Sequence, residues 1–270
     1  AAPGAAMEEP PAFYKVPAHW NGRLGGERLR PYGAATYRLI VKVRPSSLTY
    51  GMRISNIRMS SAVYVNGTRV GGSGVPALER DGYEYVNEPY SVFFQIPGDT
   101  ADIVIQTANY DYLQGGIPYS LYFGSADAIN RLNMRTVELN AFVIMALLML
   151  GVYHLGMFGM RRKERGLLYF GLFCVATAFA FAGNGDRIGM DFLSLPPPLF
   201  YKLAVVSLYA MLLLMALVLR TMCADLIHPR FTRAVIGGAA LYIVFVLAAP
   251  FRVYTHLNMI GGIAQLAAYA

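Results

Sequence analysis

The chain is poor in charge. Of its 270 residues only 14% are Asp, Glu, Lys or Arg, against 56% hydrophobic ones, where a water-soluble protein carries about 25% charged and about 45–50% apolar residues. That scarcity excludes disorder and an ordinary soluble enzyme. Cysteine is scarcer still: Cys174 and Cys223 are the only two, and both lie in or beside apolar runs. Residues 1–134 hold none, so that half cannot be stapled by disulfides in any compartment. Both cysteines read as packing residues. Enzyme signatures are also missing: no Gly-rich phosphate loop, GxSxG elbow, HExxH or CxxC occurs. His19, His154, His228 and His256 are too scattered for a metal motif, and a haem reading lacks a second axial histidine at the depth of His154. No catalytic residue, metal or cofactor is expected.

What charge there is divides unevenly. Residues 1–134 carry twelve Lys and Arg against eleven Asp and Glu, whereas residues 135–270 carry eleven against five. The basic excess sits beside the apolar segments, where membrane topology accounts for it, and no basic, aromatic-laced patch suggests nucleic acid.

Residues 1–12 form a small, Pro-containing flexible lead without the charged and apolar regions of a signal peptide. Residues 13–126 read as β. Thr36 to Val43 alternates, with Tyr37, Leu39, Val41 and Val43 on one face. Ser61 to Val65 meets Asn66-Gly67, whose positive φ suits a type I′ hairpin turn, and Thr68 to Val70 resumes. Ser91 to Ile96, Asp102 to Thr107 and Tyr119 to Phe123 are further strands. Many short strands without helical period imply an all-β sandwich or jelly roll.

Residues 127–134 are read as a linker and 135–270 as a transmembrane helical bundle. Its spans fall at about 137–160, 166–185, 203–219 and 234–251, each close to the length of about 20 residues that crosses a bilayer. A fifth run, 257–270, stops short of a span, so the sequence is expected to be a truncated piece of a longer protein. Arg161, Arg162, Lys163 and Arg165 lie in the first connection and Arg220, Arg230 and Arg233 in the third. Arg187, Lys202 and Arg252 lie in the other two. The imbalance makes the first and third cytoplasmic and puts the β domain outside the cytoplasm.

Binding candidates are aromatic. Trp20, Tyr83, Tyr85 and Tyr112 fall in loops or at strand ends with Asn109 nearby, a mixture suited to a sugar or other small ligand. Glu138 and Arg135, at the outer end of the first span, are candidates for coupling. The acidic stretch Glu79, Asp81, Glu84 and Glu88 lies among Pro76, Gly82 and Pro89 and reads as solvated loop charge.

The segments VPAHWNG, YGAATYRLIVKV, SSAVYVNGTRVGGSG and DIVIQTANYDYLQGG resemble the extracytoplasmic domain of bacterial seven-transmembrane receptors with diverse intracellular signalling modules. That domain is similar to a galactose-binding-like jelly roll. YHLGMFGMRRKERGLLYFGLF, LIHPRFTR and APFRVYTH resemble the membrane half of the same receptors. The resemblance implies a multi-pass receptor of the bacterial inner membrane that senses a small molecule or carbohydrate outside. It further implies relay to a cytoplasmic output domain absent from this chain, contact with membrane lipid, and room for a homodimer. The alternative is a transporter or envelope-complex subunit, against which the near absence of midplane ionisable groups argues.

Overall fold

The computed structural model describes residues 13–21, 23–24, 27–44, 48–184, 187–193, 195–223, 228–251, 253–255 and 257. The lead at residues 1–12 and the fifth run, apart from Leu257, lie outside them. The chain divides into two compact units that meet between Met134 and Arg135.

The first unit is a sandwich of two antiparallel sheets. One has the order β4-β9-β6-β7, built from β4 (Gly33–Lys42), β9 (Thr100–Asn109), β6 (Ser60–Val65) and β7 (Thr68–Ser73). The other has the order β11-β5-β8, built from β11 (Leu121–Ser125), β5 (Thr49–Ile54) and β8 (Tyr90–Gln95). Short pairs complete it: β1 (Ala18–His19) with β10 (Gly116–Ile117), and β2 (Arg23–Leu24) with β3 (Glu27–Arg28). The β6–β7 turn places Asn66 at φ 49° and Gly67 at φ 81°, the left-handed pair that the Asn-Gly dipeptide suits.

Alternation supplies the core. Met52, Ile54, Val92 and Phe94 from one sheet meet Val63, Val65, Ile103 and Ile105 from the other, each burial contributing about 1.5–3 kcal/mol. Tyr37, Val41 and Val43 join this core as the alternation of their strand requires. Leu39 does not; it is 59% exposed, because β4 is an edge strand with a neighbour on one side only. The sandwich closes along β7 and β8, where a Cβ on Gly71 would lie 2.4 Å from a Val92 methyl. Only glycine allows the two edges to approach so closely.

Helix α1 (Ala126–Met160) starts earlier than the apolar pattern suggests. The segment read as a linker is its first two turns. The Ser125 hydroxyl accepts from the Ala128 amide at 3.3 Å and Asp127 stands in the first turn, an N-cap with acidic reinforcement. Ile129 is buried beside Gly51 and Phe93 on the outer face of the three-stranded sheet.

The second unit comprises the rest of α1 with α2 (Arg165–Gly183), α3 (Ile188–Leu193), α4 (Pro197–Met222) and α5 (Pro229–Ala248). Four of these, α1, α2, α4 and α5, are long and apolar enough to cross a membrane. At 35 residues, α1 is about 52 Å long, well beyond a hydrocarbon core of about 30 Å. Helices α1 and α2 cross at glycines: a Cβ on Gly151 would meet Val175 at 2.9 Å and one on Gly171 would meet Leu155 at 2.8 Å. Small residues at such crossings let backbones close up without a hydrophobic driving force. His154 packs here, its Nδ1 donating to the Leu150 carbonyl at 2.8 Å and its ring 4.6 Å from that of Phe170. Cys174 is buried in α2.

Candidate functional site

The C-terminal end of β9 gathers most of the aromatic candidates. Asn109, the last residue of that strand, is fully buried. Its Nδ2 donates to the carbonyls of Pro31 at 2.8 Å and Tyr112 at 2.7 Å. Its Oδ1 accepts from the amides of Tyr112 at 2.9 Å and Asp111 at 3.3 Å. All four capacities of the amide are therefore committed to shaping the loop that follows. Trp20 is buried too, and its Nε1 donates to the same Pro31 carbonyl at 3.1 Å. Its indole fills the space over Gly115, where a Cβ would stand 2.1 Å from the ring. These two side chains hold the site's frame.

The loop they fix, residues 110–112, meets the loop at 79–85. The Tyr83 and Tyr110 rings lie edge to face at 5.0 Å. Arg80 donates to the Asp111 carboxylate at 2.7 Å and to the Tyr110 carbonyl at 3.3 Å. Burial first, and then the Asp111 carboxylate, raises the phenols of Tyr83 and Tyr85 above their ordinary value, so both remain hydroxyl donors across the physiological range. On the other side of the loop the Arg58 guanidinium stacks over Tyr112 at 4.7 Å. Arg58 and His19 both pair with Gly116 of β10 through their backbones. Burial, followed by the charge of Arg58, lowers the His19 pKa, which favours a neutral imidazole.

Two buried polar atoms of the β5–β6 connection have no hydrogen-bond partner among the described residues, Asn56 Oδ1 and Arg58 Nε. Buried polar groups are ordinarily satisfied, so this end of the sandwich has unspent capacity for both donating and accepting. Flanking aromatic faces and a neutral imidazole suit it to a hydroxyl-bearing ligand. The tyrosines were candidates on sequence alone, whereas Arg58, His19 and Asn56 join them only through the fold. Arg58 and Asn56 lie in the connection between β5 and β6 without a pattern of their own, and only the β1–β10 pairing brings His19 alongside them.

The coupling candidates are placed differently. Arg135 and Glu138 are both exposed on α1, and no ion pair joins them among the described residues. Contact between sandwich and helix is made two residues earlier. Asn133 bonds Arg53 through its Oδ1 and exchanges hydrogen bonds with the Ser91 hydroxyl at 3.0 and 3.2 Å. Arg53 and Ser91 are directly paired across β5 and β8. Asn133 thus clasps two strands at once.

A recess lies at the opposite end of the strands, a cleft of about 780 Å³ lined by Val65, Thr68, Val70, Phe94, Gln95 and Pro97 among others. It contains no charged side chain.

Residues 138–270, about half of the chain, match the family described as 7TM diverse intracellular signalling. A comparison with curated proteins returns no significant match. Among solved structures, a GH2 beta-galacturonidase from Eisenbergiella tayi bound to glycerol is 19% identical with a TM-score of 0.34, over 44% of this chain and 21% of that one. A putative beta-galactosidase from Bacteroides fragilis is 17% identical with a TM-score of 0.30, over 41% and 18%. The Ruminococcus gnavus beta-glucuronidase is 14% identical with a TM-score of 0.32, over 42% and 23%. The chain thus spans about a fifth of the length of each of these proteins. Likenesses of that size carry no argument about ligand or activity.

Proposed function

The chain belongs, through residues 138–270, to the 7TM diverse intracellular signalling family, and from that premise we propose that it is the sensing and relay part of a bacterial inner-membrane receptor. The sandwich lies outside the cytoplasm, binds a small hydroxyl-bearing ligand, a carbohydrate being the favoured class, and biases the helices toward one of two states. A cytoplasmic output domain reads that bias, and any catalysis belongs to it. Tyr83, Tyr85 and Tyr112 contact the ligand together with Arg58 and His19, while Trp20 and Asn109 fix the loops that carry them. The observation that carries the reading is the clasp of Asn133: a residue of the same continuous helix that becomes the first span is hydrogen-bonded to Arg53 of β5 and Ser91 of β8. A ligand shifts such an equilibrium only by its differential affinity for the two states, and a helix held directly by two strands gives those states something to differ in.

Orientation is tested by accessibility. In a background with Cys174→Ser and Cys223→Ser, Gly67→Cys in the β6–β7 turn and Lys163→Cys in the α1–α2 connection are exposed in turn to a membrane-impermeant maleimide on spheroplasts. Labelling of Gly67→Cys alone supports the reading. Labelling of Lys163→Cys alone reverses the topology and removes the receptor proposal.

A further inference from the structure

The arginines of the sandwich differ in what they hold. Arg38 grips the Asp102 carboxylate through Nε and Nη2 at 2.8 Å each. Arg80 reaches Asp111 at 2.7 Å, and Arg53 bonds Asn133. Arg58 is half-buried and has no ion pair among the described residues. Its backbone is anchored, the amide donating to the Gly116 carbonyl at 3.1 Å and the carbonyl accepting from the Thr107 hydroxyl at 3.3 Å. Its guanidinium stands over the Tyr112 ring at 4.7 Å, so the cation is positioned at the loop that carries the candidate tyrosines. The anion of that loop, Asp111, is already held by Arg80. The charge of Arg58 acts on its neighbour across Gly116: after burial, it is what lowers the His19 pKa.

We propose that Arg58 receives a carboxylate of the ligand, so that among hydroxyl-bearing molecules this end of the sandwich prefers a hydroxy acid to its neutral counterpart. The proposal rests on the reading of this end as a ligand site and adds the charge of what it takes. Of the guanidinium nitrogens only Nε is both closed off from solvent and without an acceptor. The two Nη groups are therefore the open end, and paired N–H donors there match the two oxygens of a carboxylate in one plane. Tyr112 beneath the guanidinium fixes that plane. A half-buried cation without a counter-ion is costly, and an anion brought by the ligand offsets the cost. One uncompensated charge balances a carboxylate, whereas a phosphate group carries about −1.5 to −2. Aromatic rings at Tyr83, Tyr110 and Tyr112 then take the apolar faces of the same molecule.

The test uses the full chain in nanodiscs and matched probes: lactate with lactamide, gluconate with gluconamide, and mandelate with mandelamide. Each acid and its amide share a shape and a hydroxyl and differ in charge. Hydrogen exchange over residues 56–58 and 109–112 reads occupancy, and Trp20 emission reports that each variant keeps its fold. At least one acid should protect at a concentration about tenfold or more below that of its amide. Arg58→Met, which removes the charge and keeps the stem, should abolish the preference, and Arg58→Lys should retain part of it, since charge remains without the fork. If Arg58→Met loses the native emission, Arg58→Lys and the acid–amide comparison in the native chain decide alone. Equal protection by acid and amide in the native chain would overturn the proposal and leave a site for neutral ligands standing. Protection by galactose or glucose with none by any acid would do the same. Protection by none of the probes, sugars included, would overturn both the proposal and the ligand site. A full preference surviving in Arg58→Met would put the carboxylate elsewhere, and inorganic phosphate acting below the concentration of every acid would replace it by another anion; either result overturns the assignment.

Discussion

Replacing Asn109 by alanine should unfold the binding end of the sandwich. The amide makes four hydrogen bonds to backbone groups at 2.7 to 3.3 Å and is fully buried. Each is worth about 1 kcal/mol net, and a buried group left unpaired costs about 1–3 kcal/mol. The Pro31 carbonyl retains Trp20 as a donor, whereas the amide and carbonyl of Tyr112 each lose this partner. The expected loss is about 3–4 kcal/mol. For a domain of this size each kcal/mol lowers Tm by about 4–8 °C, so a fall of about 15–25 °C is expected. Trp20 is the only tryptophan of the chain and shares the Pro31 carbonyl with Asn109, so thermal unfolding followed by its fluorescence reports on this site directly. A fall under about 3 °C with unchanged emission would refute the reasoning, for it would mean that the buried amide is dispensable to the loop.

Other consequences follow from single contacts. Gly115→Ala puts a methyl 2.1 Å from the indole of Trp20. Overpacking of this kind costs about 1–3 kcal/mol, and the emission should shift to the red with greater quenching by iodide; an unshifted spectrum would show that the indole is not seated there. His19 has a pKa lowered in the folded state, so the unfolded chain binds the extra proton first. Stability should be full above the ordinary histidine value of 6.5 and should fall as pH drops from there toward the folded value. His19→Phe should flatten that part of the pH profile, and a slope that survives the substitution would assign it elsewhere. Gly171→Leu should wedge α1 from α2 and lower the thermal stability of the chain in nanodiscs, while Gly237→Ala, at a position open to 4 Å, should not. Equal stability of the two would refute the crossing.

What the sequence disclosed depended on how local the cause was. The β6–β7 hairpin was legible because Asn66 and Gly67 carry the positive φ themselves. The helices were legible because crossing a bilayer demands a long apolar run, whatever packs around it. The start of α1 was hidden: Ser125 and Asp127 are a valid cap, but Ile129 stands alone among polar residues, so no apolar period announces the first turns. The clasp of Asn133 was out of reach, since Arg53 lies 80 positions away and meets it only through the register of β5 and β8. Arg135 and Glu138 were noticed for their charge, and both stand exposed on α1. Trp20 and Asn109 were selected as binding residue types, and the fold buries both. A Trp or Asn at a strand end serves a site or its frame alike until its partners are known.

The central claim is that the state of the sandwich reaches the first span through Asn133. Hydrogen exchange on the full chain in nanodiscs tests it most directly, with galactose and glucose as probes, for the native chain and for Asn133→Ala. The account predicts that a bound probe protects residues 79–85 and 109–112 and also changes exchange over residues 126–134. In Asn133→Ala it predicts that the first effect remains and the second is lost. Protection of the loops with no change in residues 126–134 of the native chain, or an equal change in the variant, would contradict it.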